Sequence, residues 1–416
     1  MGVLKNVFIG ILALSAIVFC ALFGGLPRLR KTPIGYANRF IWITIPGLLL
    51  RIDRILTGGQ MAVRLKRAGR YLMWENHPFV LIFYLTVVVC AQVIFVSAAW
   101  SRLSGTQQFI TSVLIFAPYP LTYLTVTSVS SVITPANHSM AMRQYPFDYI
   151  LYFPGQICST CRLPKPARSK HCRLCNVCTA KSDHHCIWVM NCVARDNYVW
   201  FLSMIASLGL MLCYGAYLAY SLLSKLLSEK HKPWPQGISI RNRLDLWFEA
   251  VALDPSVGCT GLLATLTAPL AWGLFGYHMY LIWAGMTTSE SFKWDEWRDD
   301  VADGHVYKRS NSAPKASRMP KLRMTQHEHI PEIDADSWKG LDTFSRDELN
   351  PHVSWPATGK TILINTIHRA SSDQEPDADL SKPPWSRMNT LAEATNIYDL
   401  GFVDNLIDVL RWAKLW

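Results

Sequence analysis

The chain has 416 residues, half of them apolar and only 17% charged, with a mildly positive mean hydropathy. This balance argues against a soluble globule and for an α-helical polytopic membrane protein with soluble portions. The net charge is +11, but the basic residues form no stripe interleaved with stacking aromatics, which excludes nucleic acid as a partner.

Val7–Leu26 is an apolar run long enough to cross a bilayer, preceded only by Lys5 and followed by Pro27, Arg28, Arg30 and Lys31. A cleavable signal peptide has a shorter apolar region and its positive charge on the other side, so this run reads as a retained anchor. Its flanking charge points the N-terminus away from the cytosol. Residues 27–78 carry ten Lys and Arg against Asp53 and Glu75, which marks a cytosolic loop. Within that loop Phe40–Leu50 is too short to cross, contains Pro46, and is expected to lie along the membrane surface. Phe79–Trp100 and Phe109–Ile133 form a membrane hairpin, the second span kinked at Pro118 and Pro120. That hairpin returns the chain to the cytosol for a cysteine-rich domain over 134–198, where reducing conditions keep thiolates available. On this topology the sequon Asn137-His138-Ser139 never meets the lumen and is not glycosylated.

A fourth span, Val199–Leu223, starts directly after that domain, with Trp200 and Tyr220 placed as interfacial anchors. Residues 224–257 are expected as a lumenal loop, and the fifth span, Gly258–Met286, is expected to bend at Pro269. The tail over 287–416 returns to the cytosol. Its middle, Tyr307–Arg387, is poor in aliphatics and reads as disordered. Its end, Asn396–Trp416, regains a periodic apolar pattern through Leu400, Val403, Leu406, Ile407 and Leu410, consistent with an amphipathic helix.

The densest chemistry lies between Cys158 and Cys192, which hold seven of the eleven cysteines and three of the twelve histidines. Two-residue gaps, as between Cys158 and Cys161 or among Cys172, Cys175 and Cys178, let one turn offer two thiolates to one metal. The donors number ten: Cys158, Cys161, His171, Cys172, Cys175, Cys178, His184, His185, Cys186 and Cys192. Two tetrahedral zinc ions take eight of them. If a cysteine and a histidine remain, they are a thiol nucleophile and a base that can activate it, and Asp183 could orient that base. Blander readings are a zinc ribbon or RING-like adaptor without chemistry, and a disulfide framework. The odd cysteine number and the metal-like spacing argue against disulfides.

The pattern C-x2-C-x9-H-C-x2-C-x2-C-x4-D-H-H-C-x5-C closely resembles the cysteine-rich domain of the DHHC protein S-acyltransferases, the membrane palmitoyltransferases. The resemblance implies one structural zinc on Cys158, Cys161, His171 and Cys178 and a second on Cys172, Cys175, His185 and Cys192. It further implies Cys186 as the acyl-accepting nucleophile, His184 as general base and Asp183 as its partner. Palmitoyl-CoA is the implied acyl donor, and membrane proteins with juxtamembrane cysteines are the implied partners, beside the lipid bilayer itself. By similarity of position, Lys165, Arg168 and Lys170 are candidates to anchor the CoA phosphates, their bland reading being a solvated basic loop.

Two further motifs support the resemblance. Thr287-Thr288-Ser289-Glu290, after the fifth span, matches the family's TTxE motif, and Asn396-x-Tyr398-Asp399-x-Gly401-x3-Asn405 is similar to its C-terminal segment, whose last asparagine buttresses the transmembrane helices. There are departures: the DPG motif is missing from Thr134–Ile157, Ile187 replaces a common proline, and Ala194 stands where glycine is frequent. Three spans ahead of the domain, with Ile187-Trp188 after the DHHC run, look like the fungal endoplasmic-reticulum branch that acylates SNAREs and other single-span proteins. The endoplasmic reticulum membrane is thus the implied compartment, with the Golgi as the alternative. Two competing functions are a non-catalytic membrane zinc scaffold and a zinc hydrolase, the latter requiring an open metal position.

Overall fold

The computed structural model describes residues 31–74, 77–129, 131–232, 240–310, 323–325, 344–357, 361–366 and 384–411. The first expected span, Val7–Leu26, lies outside them. The basic segment expected as a loop is largely helical, in α1 (Pro33–Arg39), a π-helical turn (Phe40–Thr44), α2 (Ile45–Thr57) and α3 (Gln60–Trp74). Pro33 and Pro46 both sit in a first turn, where a missing N–H removes no bond. Gly58, at φ +67°, ends α2 in the left-handed region. Asp53 then accepts from the backbone of Met61 at 3.2 Å and Ala62 at 2.8 Å, satisfying amides in the first turn of α3. Phe40, Trp42, Ile43, Leu48 and Leu49 stay exposed, the apolar face that a segment lying on a membrane presents.

The chain continues through α4 (Phe79–Ala99), α5 (Gly105–Phe116) and α6 (Pro118–Thr127), the last two meeting at Ala117 where the prolines interrupt the backbone ladder. The third span thus stops at Thr127 and not at Ile133. After the short α7 (His138–Met142) come five three-residue strands, β1 (Gln156–Cys158), β2 (Lys170–Cys172), β3 (Val177–Thr179), β4 (His184–Cys186) and β5 (Asn191–Val193). Helix α8 (Tyr198–Lys230) outruns its expected end at Leu223, and α9 (Ile240–Leu253) occupies much of the expected lumenal loop. Then follow α10 (Pro255–Trp283), with Pro269 inside it, and α11 (Thr288–Ala302). The tail adds β6 (Val306–Ser310), β7 (Arg323–Thr325), α12 (Arg346–Leu349), β8 (Thr361–Asn365), β9 (Ser386–Arg387) and α13 (Phe402–Leu410). Among the described residues four helical stretches are long and apolar enough to cross a membrane: Phe79–Arg102, Gly105–Thr127, Tyr198–Lys230 and Pro255–Trp283.

Two compact units divide these elements, one within 1–79, 85–111 and 212–266, the other within 80–84, 112–211 and 267–416. In the first, Phe95, Ala99 and Leu103 pack with Leu218, Ala219, Leu223 and Leu227 of α8 and with Ala250 and Val257. Gly261 makes this approach possible, since a Cβ there would lie 2.3 Å from that of Ala219. Ion pairs close the end of the unit, Arg102 with Asp254 at 2.7 Å and Lys230 with Glu249 at 2.6 Å.

The second unit contains the cysteine-rich domain, built on two antiparallel hairpins, β2–β3 and β4–β5. Among the described residues of the stretch expected to be disordered, strands form: β6 pairs with both β8 and β9, and β7 runs parallel to β1; much of the remainder of that stretch lies outside the described residues. The reason for the pairing is buried apolar side chains flanking and within that stretch. Val306, Leu363 and Met388 join Tyr145, Tyr152, Trp294 and Tyr398 in one core. The C-terminal helix is confined to α13, because the preceding Gly401 stands at φ +91°.

After α10, Gly285 turns the chain at φ +63°, and a Cβ there would fall 2.4 Å from the Asp399 Cα. Gly285→Ala is therefore expected to cost about 1–3 kcal/mol and to lower the thermal unfolding midpoint in detergent. An unchanged midpoint would show that the C-terminal segment is not held against this turn.

Candidate active site

A strand's side chains alternate between faces, and the two hairpins use this to sort donors. In β2–β3, His171 stands directly opposite Cys178, and in β4–β5, His185 stands opposite Cys192. Each hairpin therefore contributes one imidazole and one thiol on the same face. The remaining two thiols come from tight turns, in which Cys161 N–H donates to Cys158 Sγ and Cys175 N–H to Cys172 Sγ, both at 3.4 Å. The residue after each pair, Arg162 and Asn176, adopts positive φ to complete the turn.

The result is two quartets, Cys158, Cys161, His171, Cys178 and Cys172, Cys175, His185, Cys192, each with its donor atoms within 4.8 Å of one another. His171 Nδ1 lies 3.5, 3.5 and 3.7 Å from the three sulfurs of its group. His185 Nδ1 lies 3.6, 3.3 and 3.8 Å from its three. Zn–S and Zn–N bonds of about 2.3 and 2.0 Å in a tetrahedron place N and S about 3.5 Å apart. Both quartets thus fit zinc, by spacing and by donor chemistry, and could hold it with every tetrahedral position filled by protein.

Of the ten donors, His184 and Cys186 stay outside both quartets. They share one face of β4, opposite to that of His185. His184 Nδ1 donates to Asp183 Oδ2 at 2.6 Å. Burial opposes a charge on His184, but the bond to Asp183, helped by the neighbouring Cys186, prevails and pushes its pKa up to about 9. Asp183 is 3% exposed. Burial works against its charge as well, yet His184, His278 and the Thr288 amide hold the carboxyl below its usual range.

The N-terminus of α11 supports this carboxylate. Thr288 donates its backbone N–H to Asp183 Oδ1 at 2.9 Å and its hydroxyl to Oδ2 at 2.8 Å. The helix start is fixed by a capping box: Glu290 N–H donates to Thr287 Oγ1 and Thr287 N–H to Glu290 Oε2. The T-x-x-E spacing is itself the signature of such a box, a signal available in the sequence. Helix polarity adds to it, because the positive end of α11 faces Asp183.

Glu290 also engages Arg168, one of the residues expected to meet CoA. Arg168 is 3% exposed. It donates Nε and Nη2 to Glu290 at 2.7 and 2.6 Å and Nη2 to the Gly285 carbonyl at 3.2 Å, beneath the Tyr398 ring. So placed, the buried guanidinium ties the zinc domain to the start of α11. Lys165 is half-buried and Lys170 exposed. A third cation, Lys293, which sequence reasoning missed, lies 4.0 Å from the Tyr152 ring centre. Burial, then the charges of Lys170 and Lys165, hold its pKa down.

Asn405, from the C-terminal motif, accepts from Leu400 N–H and donates to the Trp283 carbonyl at 3.4 Å; Asn396 donates to the Ala284 carbonyl at 3.1 Å. Together they satisfy carbonyls left open where α10 ends. Asn191 does the same for α6, donating to the carbonyls of Thr125, Val126 and Ser128. This anchors hairpin β4–β5 to a membrane helix without the missing DPG motif. Cys186 packs in an apolar cluster with Val189, Val193, Phe201, Leu202 and Ile205 of the domain and α8, and Ile282 of α10.

Residues 152–295 match the DHHC palmitoyltransferase family. The chain is 40% identical to palmitoyltransferase swf1 of Emericella nidulans over 98% of its own length and 97% of the relative's. Palmitoyltransferase swf1 of Schizosaccharomyces pombe is 34% identical over 70% of this chain and 81% of its own length. Palmitoyltransferase ZDHHC4 of Mus musculus is 32% identical over 42% of this chain and 53% of its own.

Cys172→Ala or His185→Ala is expected to lose one zinc of two and to lower stability, whereas His184→Ala keeps both. Metal analysis of the purified variants decides, and equal zinc loss in His184→Ala would overturn the sorting of the donors. Arg168→Ala leaves Glu290 buried without its partner and is expected to cost about 3–5 kcal/mol, read as a lower unfolding midpoint. A raised KM for acyl-CoA at an unchanged midpoint would return Arg168 to the ligand site.

Proposed function

The chain belongs to the DHHC palmitoyltransferase family, and from that membership we propose that it moves a palmitoyl group from palmitoyl-CoA through a Cys186 acyl-enzyme to cysteines of membrane proteins. The observation that carries this reading is the pair left over: His184 and Cys186, two residues apart on one strand, both stand outside the two metal quartets.

In the first half-reaction His184 takes the Cys186 thiol proton through the nitrogen not held by Asp183. The thiolate attacks the thioester carbonyl, and CoA leaves as a thiolate that takes the proton back from His184. In the second half-reaction a substrate cysteine loses its proton to His184, attacks the Cys186 thioester, and releases the Cys186 thiolate, which is reprotonated. Asp183 holds the imidazole orientation throughout and Thr288 holds Asp183. Each quartet would hold one zinc ion on its four protein donors and so would serve as a folding staple.

The acyl chain would lie against the apolar cluster around Cys186, where each buried methylene contributes about 0.8 kcal/mol. Lys165 and Lys170, with Lys293 beside them, are the cations proposed for the CoA phosphates. Ile187 and Trp188, 40% and 49% exposed immediately after the nucleophile, present an apolar surface to a membrane-embedded substrate. We assign the catalytic domain to the cytosolic face of the endoplasmic reticulum. The substrates proposed there are SNAREs and other single-span proteins carrying juxtamembrane cysteines.

Purified protein with both zinc ions bound, incubated with labelled palmitoyl-CoA, is expected to form a hydroxylamine-labile adduct on Cys186. Cys186→Ser should form none, and His184→Ala should form it about 10²–10⁴-fold more slowly. Wild-type protein that forms no adduct would remove this reading.

A further inference from the structure

Helix α10 spans 29 residues and carries one side chain of the Asp, Glu, Lys, Arg and His set, His278. An ionisable residue inside a membrane helix is costly and marks a functional site by default. His278 is 1% exposed. Its Nδ1 lies 3.0 Å from the Tyr198 hydroxyl, at the first residue of α8. It belongs to neither metal quartet. Its ring instead stands 5.8 Å from that of His184, tilted by 31°, and its ligating atom falls within 4.8 Å of those of Asp183 and His184. Phe201 sets its edge against both rings, at 5.4 and 5.2 Å.

We propose that His278, clamped by Tyr198, is a positioning residue for the Asp183–His184 base. The proposal rests on the acyl-enzyme reading above. Asp183 holds His184 through Nδ1 alone, and one hydrogen bond leaves the imidazole free to swing about it. Phe201 bounds the ring on one side and His278 on another, so that the second nitrogen stays directed at Cys186. A phenyl ring in place of His278 would fill the space, but it could neither bond Tyr198 nor offer a polar edge to the buried carboxylate of Asp183. A tilted or sliding ring then follows, and misplacement of that order is worth about 10²-fold in rate.

The test is single-turnover acylation of Cys186 by labelled palmitoyl-CoA across a concentration series, with zinc content and unfolding midpoint measured on each variant. His278→Phe is expected to keep two zinc ions and to slow the limiting acylation rate about 10–100-fold with the half-saturating acyl-CoA concentration unchanged. His278→Gln, which restores polar atoms near the ring nitrogens, should recover most of that loss, and Tyr198→Phe should fall between. A wild-type rate in zinc-replete His278→Phe overturns the proposal, as does a loss that His278→Gln fails to relieve. Should His278→Phe not fold, Tyr198→Phe decides, and an undiminished rate there overturns it equally. Absence of the adduct on wild-type protein would instead strike the acyl-enzyme reading itself, so the two failures are distinct.

Discussion

The alternation of side chains along the three residues of β4 is the constraint on which the site depends. His185 must turn to one face to reach its zinc, opposite Cys192. Geometry then sends His184 and Cys186 together to the other face. A shift of one residue in register would exchange the two sets, giving His184 and Cys186 to the metal and leaving His185 alone. The closed quartets therefore do more than stabilise a small domain. They fix the register that keeps His184 and Cys186 apart from the metal donors.

A second requirement is that this face meet a buried anion without losing it to protonation. Asp183 is nearly inaccessible, and an isolated carboxylate in such a place would be neutral. It stays charged because His184 pairs with it and α11 aims its first amide and a hydroxyl at it, and α11 begins where it does because Thr287 and Glu290 cap each other. Glu290 in turn is held by Arg168 and by the Tyr152 hydroxyl at 3.1 Å. A chain of satisfied polar contacts therefore runs from the zinc domain through the helix start to the carboxylate behind His184.

How much of this was legible in the sequence follows from the range of the interactions. Metal donors lie close along the chain at fixed spacing, so the site could be outlined from the residues and the family resemblance. Apolar span length is a local property too, which is why the described membrane helices fall near their expected places. The Arg168–Glu290 pair was not legible, because a basic residue in a loop looks solvated until a partner 122 positions away is brought to it. The strands Val306–Ser310 and Thr361–Asn365 were missed for the same reason, since each is too short to register except against the other. His278 did carry a local signal, a titratable group inside an apolar run, but a lone histidine names no partner until Tyr198 and His184 are packed beside it.

The link between β5 and α8 has a consequence for substrate choice. Val193 closes the hairpin and Tyr198 opens the helix, so only residues 194–197 separate the nucleophile's hairpin from a segment that crosses the lipid. A catalyst tethered so tightly cannot roam. On the acyl-enzyme reading it would reach thiols within a narrow slab at one altitude above the hydrocarbon, largely regardless of the letters that surround them. An enzyme working through Cys186 would then discriminate among its clients by depth, as a gauge does, and would need little by way of a consensus to read.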